Sequence, residues 1–204
     1  MDTVKEKRKL WMPITLMAAF ALTRWPGVMP PNFSAAYALA FCAGVYFPRA
    51  LAWWLPLTTL FVTDLLLNIC YYQTTPADDR MLVNYLAYGS IIWLGRRFKP
   101  QSSWLALLGG GLLGAILFYL VTNTVSWMMD PAYEKTLFGW IRALTVGTPG
   151  WPHTWEFFRN TLLSGGLFSG LFAAAMKLGG AVESEEEEEP AEEAEEAAPE
   201  EAKA

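Results

Sequence analysis

Apolar residues run through this chain in long stretches without a charge, at 10–23, 25–48, 50–63, 65–77, 81–95, 100–129 and 160–176. The stretch 100–129 is 30 residues long, more than the roughly 20 helical residues that cross a bilayer core. Shorter stretches can reach across with snorkelling ends, as Lys9 and Arg24 allow for the first. Proline and glycine punctuate the joins: WPGVMPP at 25–31, FPR at 47–49, QTTPADD at 73–79, FKPQ at 98–101, then DP and GTPGWP between 130 and 152. The pattern predicts six helices over roughly 10–25, 32–47, 50–70, 81–96, 102–126 and 157–178. YEKTLFGWIRALTVGT, at 133–148, has apolar positions at helical spacing but carries charges, as an interfacial or re-entrant helix does. A buried soluble core is the alternative, but successive apolar runs leave too few polar residues to coat a soluble surface.

Composition sharpens this once charge is located. Of 204 residues, 53% are hydrophobic and ten are Trp. Residues 183–204 hold 12 of the 20 acids, while residues 1–182 carry 14 Lys and Arg against 8 Asp and Glu, a net of +6. The overall −5 therefore belongs to the tail. That tail, ESEEEEEPAEEAEEAAPEEAKA, is low-complexity and like-charged, which predicts disorder and a solvated role, with tethering or a basic partner as alternatives. With the N-terminus inside, Lys5, Lys7, Arg8, Lys9, Arg49, Arg96, Arg97, Lys99 and Lys177 gather on the inner side. Arg24, Arg80, Lys135, Arg142 and Arg159 gather on the outer side, so the positive bias favours this orientation. The fold class expected is all-α: an integral membrane six-helix bundle with both termini cytoplasmic. It comprises a basic N-terminus at 1–9, a transmembrane domain at 10–178 with outer loops 25–31, 71–80 and 127–156, and a disordered tail at 183–204. The N-terminus resembles a signal peptide, but no small-x-small cleavage site follows, so it reads as a retained first helix.

Small residues recur at four-residue spacing: Ala36, Ala40 and Gly44; Gly110 and Gly114; Gly166 and Gly170; and, less regularly, Ala19 and Thr23. Such faces let helices approach closely in lipid, within the bundle or against a membrane partner. Polar residues inside the apolar runs are rarer. Asp64 sits in VTDLLLN, with Asn68 one turn on, on the same face of the third helix, and Tyr71 or Tyr72 continues that face. Asn84 and Tyr88 share a face of the fourth helix at similar depth. Thr122, Asn123 and Trp127 fall near the outer end of the fifth, Asn32 opens the second, and Arg24 ends the first. An ionised group in hydrocarbon is costly unless it faces protein, water or a partner. Asp64 can pair with Arg24 or Arg159 and clamp helices, or accept hydrogen bonds from a ligand; both alternatives stand on the sequence.

Other chemistry finds little footing. There is one histidine, His153, and Cys42 and Cys70 lie in apolar runs as packing residues, so neither a metal site nor a disulfide is expected. No GxxxxGK[ST] loop is present. GLFSG, at 166–170, has a serine between glycines, but the lone histidine is in a loop and Ser169 sits where a helix needs a small residue. No catalytic residue, cofactor or nucleic-acid partner is expected.

WPGVMPPNFSAAYALAFCAGVYFPRALAWWLPLTTLFVTDLLL resembles the start of a family of small uncharacterised bacterial membrane proteins. FYLVTNTVSW, DPAYEKTLFGWIRA and FFRNTLLSGGLF extend the resemblance over about residues 10–176. In size and topology that family is similar to the S components, the substrate-capture subunits, of energy-coupling factor vitamin transporters. The resemblance implies a multi-pass protein of the bacterial cytoplasmic membrane that binds a vitamin-like solute under its outer loops. It further implies docking through small residues of helix one, here nearest to Ala19 and Thr23, on a transmembrane coupling protein driven by two ATPases. On that reading Asp64, Asn68, Asn84, Asn123, Asn32 and Arg24 supply hydrogen bonds and charge. Trp25, Tyr72, Trp127 and Trp140 supply flat apolar contact, and loop 25–31 is a lid. The rival reading is a structural or assembly subunit of a larger membrane complex, with Asp64 as a clamp.

Overall fold

The computed structural model of the chain describes residue 15, residues 17–76 and residues 79–196. The basic N-terminus at 1–9, the start of the first helix and residues 197–204 lie outside the described residues. What is described is all-helical, with a single isolated β-bridge between Pro26 and Met29. The helices are α1 (17–23), α2 (Ala36–Tyr46), α3 (Arg49–Leu66), α4 (Asp79–Gly95), α5 (Trp104–Met129), α6 (Leu137–Thr145) and α7 (Thr154–Glu196). A π-helical stretch, Leu67–Tyr72, prolongs α3.

Local chemistry sets these ends. Phe47 is extended ahead of Pro48, as a residue before proline prefers, and α3 starts behind it. The Ser103 hydroxyl caps α5 by accepting the Ala106 amide at 3.2 Å, and the Thr136 hydroxyl caps α6 by accepting the Gly139 amide at 3.1 Å. Gln73, with φ 51°, ends the π-helical stretch in the left-handed region.

The helix expected at 32–47 is shorter than its pattern suggested. Asn32 turns with φ 59° and helix begins only at Ala36. The resulting 11 residues of α2 are uniformly apolar, and Ala36 through Val45 are all buried. A helix apolar all round belongs at the centre of a bundle, and α3, α4, α5 and α7 pack around this one. Small residues make that possible. Gly44 and Gly95 meet backbone to backbone: a Cβ on Gly44 would lie 3.0 Å from the Gly95 Cα. Gly111 of α5 abuts the Ser169 side chain of α7, and a Cβ on Gly165 would come within 2.7 Å of the Ala115 Cβ.

The same contacts give the chain's course. Gly44 against Gly95 and Tyr37 against Tyr88 make α2 and α4 parallel. Gly110 against Phe41 and Phe118 against Tyr37 make α5 antiparallel to α2, Gly114 against Ile91 and Phe118 against Tyr88 make it antiparallel to α4, and Gly111–Ser169 with Ala115–Gly165 make α7 antiparallel to α5.

Three helical segments are long and apolar enough to cross a membrane: Arg49–Tyr72, Trp104–Met129 and Thr154–Leu178, of 24, 26 and 25 residues. Ala36–Tyr46 and Met81–Gly95 are apolar but shorter. Much of the outside is greasy: Trp54 on α3, Leu82 on α4, Leu105 on α5 and Leu163 on α7 are all exposed. The segment read as interfacial forms α6, which turns Gly139 and Ala143 inward and leaves Leu137, Phe138 and Ile141 exposed. Residues 183–196 continue α7 as helix to Glu196. Glu and Ala are strong helix formers, and extending a helix already formed avoids the cost of nucleation.

Two glycines two residues apart on α5 should behave oppositely. A Cβ at Gly109 meets nothing within 4 Å, whereas one at Gly111 overlaps Ser169. Gly109→Ala should keep or raise stability by up to about 1 kcal/mol, and Gly111→Ala should lower it by about 1–3 kcal/mol, read from thermal unfolding in detergent micelles.

Candidate functional site

Asp64 has its partners within the chain. The Arg24 guanidinium, at the end of α1, donates through Nη2 to Asp64 Oδ1 in a salt bridge whose side chains are 21% and 13% exposed. Arg24 Nη1 donates to Thr63 Oγ1 at 2.9 Å and approaches the Leu60 carbonyl at 3.4 Å. Tyr85 of α4 donates its hydroxyl to Asp64 Oδ2 at 3.0 Å. Both carboxylate oxygens are thus engaged, and one ion pair ties α1, α3 and α4 together. Of the two arginines read from the sequence as partners, Arg24 is the one used; Arg159 lies over the Trp155 ring at 5.5 Å.

Immediately beyond this pair α3 widens into its π-helical end. A π-turn shifts the facing of the residues it contains and is frequent at functional sites. Asn68 sits in it and donates to the Pro76 carbonyl at 3.2 Å, while its own carbonyl accepts the Thr74 amide at 2.9 Å. Tyr71 and Tyr72 are exposed and meet edge to face at 5.0 Å. Tyr71 also meets the exposed Trp25 ring at 6.4 Å. Trp25 opens loop 25–31, where Gly27 has φ 85°. Asn160 of α7 donates to the Pro31 carbonyl at 2.9 Å and holds the loop's far end.

Toward the centre lies an aromatic group. Tyr37 stacks on Tyr88 at 6.1 Å, and each meets Phe118 at 4.8 Å. The Tyr37 hydroxyl faces the Asn32 carbonyl at 3.4 Å and the Thr161 side chain, and Tyr88 is within electrostatic reach of Arg24, Asp64 and Tyr85. Asn84, half-buried one turn before Tyr88 on α4, has no side-chain hydrogen bond among the described residues. Asn32 is exposed.

The remaining expected residues fall in a second group, on α5 and α6. Asn123 donates to the Tyr119 carbonyl of its own helix at 2.9 Å. Trp127 donates to the Glu134 carbonyl at 2.8 Å, and Trp140 to Thr124 Oγ1 at 2.9 Å. Lys135 covers the end of α5, donating to the Trp127 and Asp130 carbonyls at 2.6 Å each. A cation there also complements the helix dipole. Tyr119 binds the Leu144 carbonyl and so fixes α6. Burial pushes the Tyr133 phenol above its ordinary value, helped by Asp130 and opposed by Arg142. Because α3 packs on α2 and α4 while α6 packs on α5 and α7, the two groups brace different sides of the bundle.

Sequence reasoning missed Thr63, Tyr85, Tyr37, Phe118 and Thr161. Thr63 and Tyr85 had a signal: each adjoins a residue already singled out, Asp64 and Asn84. Among the described residues no three His, Cys, Asp or Glu side chains gather as metal ligands. The arrangement offers a neutralised ion pair, phenol hydroxyls and flat aromatic faces: recognition chemistry.

An all-helical bundle with three helices long and apolar enough to cross a membrane points to membrane association. Within that class, the chain belongs to a family of unknown function, DUF6580, which it matches over residues 4–186. No curated protein and no solved structure matches it.

Removing either member of the ion pair leaves the other half-buried without its counter-charge. Arg24→Ala and Asp64→Ala should each cost about 3 kcal/mol, and the double variant should cost less than their sum by more than about 1 kcal/mol. Denaturant unfolding of the four proteins in micelles measures both; additive costs would mean that the pair is not coupled.

Proposed function

We propose that the protein is a membrane-embedded substrate-binding subunit. It takes up a small vitamin-like solute from outside the bacterial cytoplasmic membrane for import driven by partner ATPases, in the manner of an energy-coupling factor S component. Both termini are then cytoplasmic, and loops 25–31, 71–80 and 127–156 face outward. The observation that carries this reading is the π-helical end of α3. It follows directly on Asp64 and sets Tyr71 and Tyr72 beside Trp25, with the unpartnered amide of Asn84 on the neighbouring helix. In this reading Trp25 and Tyr72 supply aromatic contact, and Asn68, Asn84 and Asn32 supply hydrogen bonds. The Arg24–Asp64 pair fixes the wall on which they stand. Asn123, Trp127 and Trp140 stand apart from this wall, on the α5–α6 side, where Trp127 and Trp140 brace loop 127–156. Loop 25–31, anchored at one end by Asn160, is the lid.

A second reading, a structural subunit of a larger membrane complex, draws support from the exposed face of α6, where Leu137 and Phe138 are 71% and 73% exposed. Native mass analysis of gently solubilised membranes separates the two. A coupling protein with paired ATPases supports the first, and a stoichiometric complex without ATPases supports the second.

The ligand itself is sought by mass spectrometry of small molecules that co-purify with the protein. Asn84→Ala and Tyr72→Ala should each weaken its binding about tenfold, the loss of roughly one hydrogen bond or one aromatic contact, with unfolding midpoints changed little. Unaltered affinity in both variants would remove this end of α3 from the site.

A further inference from the structure

Charge is sorted between the two ends of the bundle. Asp64, Asp130, Glu134 and Glu156 all lie on the end that carries loops 25–31, 71–80 and 127–156, interspersed with Arg24, Lys135, Arg142 and Arg159. At the other end α2 and α4 finish and α3 and α5 begin. There the described residues up to 178 contribute Arg49, Arg96, Arg97, Lys99 and Lys177 and no Asp or Glu. The fold draws these cations together. Gly44 seats against Gly95 and the Arg96 backbone, and Arg96 Nη1 donates to the Phe47 carbonyl at 3.3 Å. Trp104 Nε1 reaches the Gly170 carbonyl at 3.5 Å, bringing α7 and, two turns on, Lys177 to the same end. Arg49, Arg96, Arg97 and Lys99 are exposed. A greasy rim adjoins them: Trp54, Trp93, Trp104 and Leu105 are 74%, 54%, 45% and 72% exposed, and the Arg97 guanidinium lies over the Trp93 ring at 4.2 Å.

We infer that this end is a binding surface for the anionic phosphodiester headgroups of membrane lipid. Arginine meets a phosphate with paired N–H donors and remains charged while stacked on an aromatic face. Tryptophan sits at headgroup depth in a bilayer. The unneutralised cations thus face the phosphates while the rim lies among the first acyl carbons. The chain's own glutamates, beginning at Glu183 on the extension of α7, are the rival occupant, but the helix carries them onward to Glu196 instead of turning them back.

The test uses the full chain purified in a neutral detergent and offered equal phosphatidylglycerol and phosphatidylcholine, with retained lipid counted by native mass spectrometry. Phosphatidylglycerol should be retained about tenfold or more over phosphatidylcholine, on a scale of roughly fivefold per cation near a membrane surface, and less so in high salt. Arg96→Gln/Arg97→Gln/Lys99→Gln should abolish the preference. The charge-conserving Arg96→Lys/Arg97→Lys should keep most of it, which shows that the surface and not folding is read. Arg142→Gln/Arg159→Gln, at the other end, should leave it unchanged. Equal retention of the two lipids, or an unaltered preference in the triple variant, would overturn the inference. So would displacement of the lipid by millimolar inorganic phosphate, which would mark a free-phosphate site. A rise in retention when Glu185 to Glu189 are changed to Gln would assign the surface to the tail instead.

Discussion

The bundle depends on a helix with no free side. Ten consecutive residues of α2, Ala36 to Val45, are buried, so neighbours must close around it in every direction. Small residues at the crossings are what let the backbones of those neighbours come so close. Gly44 lets α4 touch α2 backbone to backbone, while Gly110 takes the edges of Phe41 and Phe98 where a Cβ would collide. Gly111 and Gly165 then lock α5 to α7 behind this layer. An 11-residue helix spans only about 16 Å, much less than α5 or α7 beside it. The segments leading into and out of α2 must therefore be held by other means.

The polar contacts are where that holding occurs. Ahead of α2, the Thr23 hydroxyl lies 3.4 Å from the Ala35 amide, and Asn160 holds the Pro31 carbonyl. Helix α1 is fixed from both sides. Phe20 and Met17 are buried, the Thr59 hydroxyl meets Met17 sulfur at 3.4 Å, and Arg24 reaches over to Asp64. The pair carries no net charge, and Thr63, Leu60 and Tyr85 add three further hydrogen bonds to it. That pairing is what makes a carboxylate tolerable in an apolar helix, because an unpaired one would lose its hydration without compensation. The charges rigidify the wall, and the uncharged groups beyond them, Asn84 and the rings of Trp25 and Tyr72, keep unused faces.

Much of this was legible in the sequence, and the limits have physical causes. Uncharged runs punctuated by proline located α3, α4, α5 and the body of α7 to within a few residues, because helix interiors in apolar surroundings exclude charge. The mixed pattern at 133–148 located α6. Asp64 was legible as a residue needing a partner, since its cost is local; that the partner is Arg24 and not Arg159 depends on how α1 and α7 pack, which no local pattern carries. The small-residue spacing was read correctly as a packing device, with Gly44, Gly166 and Gly170 set against Gly95, Leu112 and Trp104, but the tightest α5–α7 contacts lie on neighbouring faces. The α5–α7 crossing uses Gly111 and Gly165, one residue off the Gly110 and Gly166 singled out by spacing, while Gly110 and Gly114 meet Phe41 and Ile91. Runs rich in glycine offer several faces at once, and only the partner's side chains choose among them. The expected polar level divided into two groups, because depth along a helix follows from sequence and azimuth does not.

The acidic extension shows how far local reasoning carries when packing is absent. Like charges oppose a regular backbone, and the helix of α7 runs on to Glu196. Once the apolar turns of 154–178 have set the helix, each further residue gains one backbone bond for one residue fixed, and Ala and Glu lose least in doing so. Repulsion between neighbouring carboxylates opposes this by only a few tenths of a kcal/mol per pair, roughly the scale of pairs on an exposed helix, and salt weakens it further. Propensity and repulsion are thus close in size.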